Sequence, residues 1–248
     1  PVGTRPVIDY VVQDVLQAGI KDIYFVVGEQ SAQIQNYYRS NIQLNDYLHS
    51  HGKEDKLAMI APLDGVNIHF VTQPSTGLYG TSVPVGLVSQ FIDEDESAVV
   101  IMGDQFFYRT DGGSNTADLI ALVHERGVSA GLFGNPLPDE LIPKFGIIEK
   151  DTEGNFVRVV EKPRIEEAPS NLNNSSFYIF DKQIFELART LPANPARGER
   201  EVTDAINEYV QSGGKIAVGT VTGEYMECGS PEGWLRANNR IANTYGNS

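Results

Sequence analysis

The 248 residues are enough for one large domain with a well-buried core, or one domain with a small appendage. The formal net charge of -14 argues against a nucleic-acid partner, because binding a phosphate backbone needs clustered Lys and Arg. Cys228 is the only cysteine, which excludes an internal disulfide and a cysteine zinc site, and no apolar run reaches membrane-spanning length.

Residues 1–5, PVGTR, read as a loop. Pro6 suits the first turn of a helix, and Val7, Ile8, Val11, Val12, Val15 and Leu16 recur at helical spacing before Gly19 stops it. Residues 23–27 form a short apolar strand ending at Gly28, and 31–39 return to a helical period. A helix packed on a parallel sheet normally follows a strand, so this order predicts a strand missing before Pro1. Residues 41–65 are polar, with Leu44, Tyr47, Leu48, Leu57 and Ile60 as anchors, and predict short helices at the domain edge. Residues 67–72 read as a strand. The loop QPSTGLYGTSVPV, 73–85, combines Gln73 with Gly77, Gly80 and several hydroxyls. It would let a ligand approach its backbone, and equally reads as a polar turn into a helix over 83–90. The four histidines, His49, His51, His69 and His124, are scattered and read as ordinary helix, loop or strand residues.

The stretch VVIMGDQFFY, 99–108, organises the chain. Its unbroken apolar run over 99–102 suits a strand buried on both faces of a parallel sheet. Gly103 stops the run and Asp104 follows at once. Asp104 reads either as a turn residue bonded to the next backbone N–H groups, or as a metal ligand holding a divalent ion against phosphate oxygens. Residues 111–116 form a loop, 117–126 a helix and 128–133 a strand, and this alternation points to an α/β open sheet. Beyond Phe133, strands over 145–149, 156–162 and 175–180 lie close together, with DTEGN at 151–155 as a hairpin turn. They predict an antiparallel or mixed part. Asp181 caps a helix to residue 187, 192–200 form a flexible loop, and Thr203 caps a helix over 203–210. A strand follows over 216–221. Ser230 caps the last helix, with Pro231 at its first position and Trp234, Leu235, Asn238 and Ile241 along one side. No repeat or low-complexity linker divides the chain, and no signal peptide is visible, so a single cytoplasmic domain without a membrane partner is expected.

Read in order, these motifs give a chain that resembles the sugar-phosphate nucleotidylyltransferases over nearly its whole length, and among them the bacterial UTP–glucose-1-phosphate uridylyltransferases. PVGTRPVIDYVVQDVLQAGIKDI, 1–23, is similar to the segment after that family's glycine-rich signature. HGKEDKLAMI, 51–60, resembles the helical insertion of the bacterial glucose-1-phosphate enzymes, and MGDQFFY, 102–108, the metal-aspartate motif. FGIIE at 145–149, VEKP at 160–163 and PSNL at 169–172 resemble sugar-binding segments, and EVTDAI at 201–206 and ECGSPEGW at 227–234 complete the order.

The resemblance implies an α/β, Rossmann-like nucleotidyltransferase fold: a mixed central sheet flanked by helices, with an antiparallel sugar-binding part. The first strand and signature loop of that fold are absent from the sequence, and the chain by itself is expected to be catalytically weak or dead. It implies one domain over 1–248, with 1–133 mostly nucleotide-binding and 134–248 mostly sugar-phosphate-binding. The implied reaction is magnesium-dependent uridylyl transfer from UTP to glucose 1-phosphate, giving UDP-glucose and pyrophosphate. The alternatives are a non-catalytic nucleotide-sugar-binding or regulatory homologue, and a transferase using another sugar 1-phosphate or dTTP. A dinucleotide-binding oxidoreductase is disfavoured, because no strand leads into a G-x-G-x-x-G turn.

By the same resemblance Asp104 is the catalytic magnesium aspartate, and Glu227 is a second magnesium carboxylate where the family often has Asp. Glu227 equally reads as a solvated loop residue. Lys162 meets the sugar phosphate as a catalytic and binding residue, Glu161 accepts from sugar hydroxyls, Gly146 offers its backbone to the sugar, and Asn171 bonds hydroxyls nearby. Neighbours on a regular strand face opposite ways, so the chain must end or twist at Glu161–Lys162, which Pro163 encourages. Gln73, Gly80 and Thr81 match the base-reading loop. Ser176 stands where the family commonly has glycine. The implied partners are a nucleoside triphosphate and a sugar 1-phosphate, with a homo-oligomer left open.

Overall fold

A computed structural model describes residues 1–39, 42–57, 63, 65–195 and 198–245. Ile60 and the end of the HGKEDKLAMI segment lie outside these residues, as does the side chain of Glu161. In chain order the elements are α1 (Val7–Gln17), β1 (Asp22–Gly28), α2 (Ala32–Tyr38), α3 (Ile42–Ser50), β2 (Asn67–Gln73) and α4 (Ser82–Val88). Then come β3 (Ser97–Ile101), β4 (Gln105–Tyr108), α5 (Asn115–Arg126), β5 (Ala130–Pro136), β6 (Gly146–Lys150) and β7 (Phe156–Glu161). The last are β8 (Leu172–Asp181), α6 (Lys182–Thr190), α7 (Val202–Gln211), β9 (Ile216–Thr220), β10 (Glu224–Glu227) and α8 (Pro231–Tyr245). None of the described helices is long and apolar enough to cross a membrane.

Two compact units emerge, residues 21–77 and residues 1–20 with 78–248. The smaller unit pairs β1 with β2 in parallel, from Asp22 opposite Asn67 to Gly28 opposite Gln73. Buried Phe25 stacks on Tyr38 and Phe70. The exposed His69 stacks on Tyr24 and the exposed His51 on Tyr47.

The larger unit holds a mixed sheet in the order β7-β6-β8-β5-β9, with β3 paired to β8. Only β5 and β9 run parallel here; β6, β7 and β8 form the antiparallel part expected beyond Phe133. The apolar run at 99–102 departs from its expected setting. β3 pairs antiparallel with β8, and its apolar residues are only partly buried. An apolar run records how much of a strand is covered, not the direction of its partner.

β4 and β10, unforeseen as strands, form a separate antiparallel ribbon. Each is four residues long, too short for a period-2 pattern to stand out. The ribbon is held by a core of Val2, Val11, Phe106, Met226, Ala237 and Ile241, drawn from the N-terminal turn, α1, the ribbon and α8. Tyr10 stacks on Phe106 with centroids 4.2 Å apart. The loop expected at 1–5 is a closed turn with Val2 entirely buried. From α1, Asp14 accepts from the Asn115 and Thr116 amides and the Thr116 hydroxyl, so one carboxylate satisfies several free donors at the start of α5.

The expected caps divide. Asp181 accepts from Ile184 N and Ser230 from Gly233 N, as their positions suggest. Thr203 is not a cap: α7 begins at Val202 with Glu201 at the N-cap. Thr203 instead reaches back to the Glu201 carboxylate at 3.4 Å, because the N-cap lies two residues earlier than its hydroxyl suggested.

Candidate active site

The ribbon ends where Gln105 opens β4 and Glu227 closes β10, and these two residues pair. Antiparallel pairing therefore brings Asp104 and Glu227 to one end of it. Cys228 N donates to the Asp104 carbonyl at 3.2 Å and closes that end. A Cβ placed on Gly229 would stand 3.1 Å from Glu227 Oε1 and 3.8 Å from Asp104 Oδ2. Glycine thus leaves open a point that both carboxylates border.

The two carboxylates differ in their partners. Asp104 is exposed, and its carboxylate accepts no hydrogen bond from the described residues, so the turn-forming role weighed from sequence is not the one adopted. Glu227 accepts from Ser230 N at 2.8 Å and Ser230 Oγ at 2.6 Å. The Ser230 hydroxyl, chiefly, holds its carboxyl below the usual glutamate range. Burial, followed by the charges of Glu227 and Asp104, pushes the Cys228 thiol up to about 11 and the Tyr225 phenol up to about 12.

Two carboxylates around one open point fit magnesium, a hard cation that commonly takes one or two protein carboxylates and completes its shell with water and phosphate oxygens. Among the described residues no group of three or more His, Cys, Asp or Glu could hold a metal. The protein's share of such a site would therefore be this pair.

The second group of expected site residues surrounds the end of β7. Gly146 pairs with Glu161, and Lys162 N donates to the Phe145 carbonyl at 3.0 Å. Lys162 then turns to a φ of 46°, the break in the strand that Pro163 suggested. Its side chain is exposed and makes no ion pair with the described residues. Asn171 is exposed, and its carbonyl accepts from Leu137 N at 2.8 Å. Ser176 has a φ of 56° at the position where the resemblance placed a glycine. Lys162 and Ser176 are the non-glycine residues with positive φ among those described. Such conformations cost on the order of 1 kcal/mol each and concentrate where function needs a particular backbone.

The residues expected at the base are placed differently. Gln73 is not in a loop but is the last residue of β2, in the smaller unit, opposite Gly28. Gly80 and Thr81 lie in the larger unit, strapped to residues 200–202. Arg200 N donates to Tyr79 O at 2.8 Å, Ser82 N to Arg200 O at 2.9 Å, and Val202 N to Thr81 Oγ1 at 3.0 Å. A Cβ on Gly80, whose φ is 120°, would run into the Arg200 backbone. The glycine is thus needed for chain packing whatever else it does. Sequence reasoning missed Gly229 and Arg200; the first of the two glycines in ECGSPEGW is a signal for Gly229, and nothing local marks Arg200.

The mixed sheet, its flanking helices and its antiparallel part define a Rossmann-like nucleotidyltransferase architecture. The chain belongs to the nucleotidyl transferase family, whose profile matches residues 1–244. It is similar to a Methanocaldococcus jannaschii protein provisionally named a UTP–glucose-1-phosphate uridylyltransferase, with 33% identity covering 97% of this chain and 83% of that one. The UTP–glucose-1-phosphate uridylyltransferase of Pseudomonas aeruginosa is 28% identical over 96% of this chain and 85% of its own. A solved UTP-bound UGPase from Acinetobacter baumannii superposes with a TM-score of 0.84 at 27% identity, covering 97% of this chain and 83% of that one.

Proposed function

We propose that this protein transfers a uridylyl group from UTP to glucose 1-phosphate, releasing UDP-glucose and pyrophosphate. The observation that carries the reading is the open point at Gly229 bordered by Asp104 Oδ2 and Glu227 Oε1. The names of the relatives support the choice of base and sugar.

In this transfer the sugar phosphate oxygen forms a bond to the α-phosphorus of the triphosphate, and the bond to pyrophosphate breaks. Little covalent work falls to the protein, so positioning and charge neutralisation dominate. Asp104 and Glu227 would hold magnesium, which when bound supplies Lewis-acid stabilisation of phosphate charge. Lys162 offers an exposed ammonium, free of ion pairs with the described residues, to the sugar phosphate. Gly146, Glu161 and Asn171 are assigned to the sugar hydroxyls, and Gln73, Gly80 and Thr81 to the base. Residues 1–133 would then serve mostly the nucleotide and 134–248 mostly the sugar phosphate.

The test is pyrophosphate release from UTP and glucose 1-phosphate with magnesium, beside dTTP and other sugar 1-phosphates. The expected result is release, at least about tenfold faster for UTP with glucose 1-phosphate than for any other pair. A faster alternative pair reassigns the substrate. Binding of UDP-glucose without release from any pair makes the chain a non-catalytic binder and overturns the reading.

A further inference from the structure

The Asp104 carboxylate accepts no hydrogen bond from the described residues, yet the turn that bears it is tied down on both sides. Met102 N donates to the Ser176 carbonyl at 3.3 Å. Gln105 Nε2 donates to the Ser175 carbonyl at 2.5 Å. The residues flanking Gly103–Asp104 are thus fastened to two successive carbonyls of β8.

A regular strand cannot present two successive carbonyls to the same side, because they alternate. β8 is irregular at this place. Its pairing with β5 shifts register between Leu132 and Gly134, and Ser176 takes a φ of 56°. Bulges of this kind commonly re-aim groups beside a site. The irregularity is itself supported from inside. Ser175 is buried and its hydroxyl donates to Phe133 O at 2.6 Å. Ser176 N donates to Asn174 Oδ1 at 3.2 Å, and Tyr178 beside them is buried. On the other side, the Tyr225 hydroxyl donates to Gln105 Oε1 at 2.7 Å. That bond fixes which end of the amide faces Ser175.

We propose that Gln105 is a positioning residue for Asp104: its amide, oriented by Tyr225, and the Met102 amide clamp the Asp104 turn onto the Ser175 and Ser176 carbonyls. This rests on the reading of Asp104 as a metal ligand given above. Magnesium demands near-ideal geometry at short range, so a carboxylate without hydrogen bonds of its own has to be placed by its main chain. Groups behind a ligand commonly change metal affinity by a factor of 10 to 100 when lost.

The test uses Gln105→Met, which keeps length and removes both polar atoms, and Tyr225→Phe, which removes only the orienting hydroxyl. Mn²⁺ alone, titrated by electron paramagnetic resonance, should bind about tenfold more weakly to Gln105→Met and about threefold more weakly to Tyr225→Phe. In turnover, the half-saturating magnesium concentration should rise while kcat at saturating metal falls less, a split that general loosening of the fold would not give. Crystal structures of wild type and Gln105→Met supply a readout free of metal and turnover: the Asp104 carboxylate should leave its place beside Gly229. Unchanged Mn²⁺ affinity in folded Gln105→Met, or an unmoved carboxylate, overturns the clamp. If Gln105→Met does not fold, Tyr225→Phe decides by the same measurements. A wild-type protein that binds no Mn²⁺ overturns the metal reading of the site, and the clamp then stands or falls on the two crystal structures.

Discussion

The turn at 102–105 and the loop at 227–230 carry the same chemical group to one point by opposite means. The turn is fastened through its main chain and through the side chain of Gln105, and its carboxylate is left without hydrogen bonds from the described residues. The loop is fastened through the carboxylate itself, which accepts twice from Ser230 and so ties the end of β10 to the start of α8. A carboxylate at a helix start satisfies free donors and lies well in the helix dipole, so Glu227 has a reason to be present without any ligand. Asp104 has no such partner among the described residues. Two carboxylates at one place are therefore unequal evidence for a metal, and substitutions should separate them.

The largest expected effect comes from Asp104→Asn. On the proposed reading of Asp104 as a magnesium ligand, losing its charge removes several kcal/mol of transition-state stabilisation, so turnover should fall by at least about a hundredfold. The thermal midpoint should hold or rise slightly, because a repulsion with Glu227 is removed and no described hydrogen bond to the carboxylate is lost. Unfolding of this variant, or activity near wild type, would break the contrast at its first member.

Gly229→Ala probes the point between the carboxylates. Gly229 is not among the residues with positive φ, so alanine is acceptable to its backbone. Its methyl would stand 3.1 Å from Glu227 Oε1, and the carboxylate must give way by a few tenths of an ångström. The half-saturating magnesium concentration should rise about tenfold with the fold intact. Kinetics unchanged at every magnesium concentration would show that nothing binds there.

Glu227→Ala should cost stability first, about 1 kcal/mol in urea unfolding, as for other lost helix caps. Its pH signature has a definite sign. The folded-state value is lowered from 4.5, so the charged carboxylate stabilises the fold fully above that value. This contribution disappears as the pH falls through the depressed folded value. Glu227→Gln should therefore flatten the acid-side fall in thermal midpoint below pH 4.5. Parallel acid limbs for wild type and Glu227→Gln would show that the cap contributes nothing to stability.

The difference between the two loops was only half legible in the sequence. Asp104 stands out because an apolar run stops at glycine and a carboxylate follows, a local signal that folding preserves. Ser176 was legible as a departure from glycine, and its φ of 56° gives that departure a physical meaning. The alternation of strands and helices and the change of texture after Phe133 carried the fold class, because periodicity is local. Pairing is not local. β4 and β10 lie more than a hundred residues apart, and no short window shows that Glu227 will face Gln105. ECGSPEGW shows a helix start at Ser230 and Pro231, but not that Glu227 folds over Ser230 to occupy its donors. The clamp on Asp104 crosses from β4 to β8 and was invisible for the same reason.

The smallest effect is read from Cys228, which directly follows Glu227 in sequence and whose amide donates to the Asp104 carbonyl. Its thiol is pushed up to about 11, first by burial and then by the charges of Glu227 and Asp104. Only thiolate reacts with iodoacetamide, so at pH 8 alkylation of the folded protein should be at least tenfold slower than that of an unperturbed thiol of pKa about 8.5. Asp104→Asn removes one of the lesser causes and leaves burial in place. It should therefore speed alkylation by no more than about threefold, whereas unfolding in urea should restore the free-thiol rate. The same comparison separates the carboxylates once more, since the charge of Glu227 acts on the thiol more strongly than that of Asp104, and Glu227→Gln should speed the reaction more. Alkylation of the folded wild-type protein at the rate of a free thiol would show that neither burial nor the paired charges act on this sulfur as described.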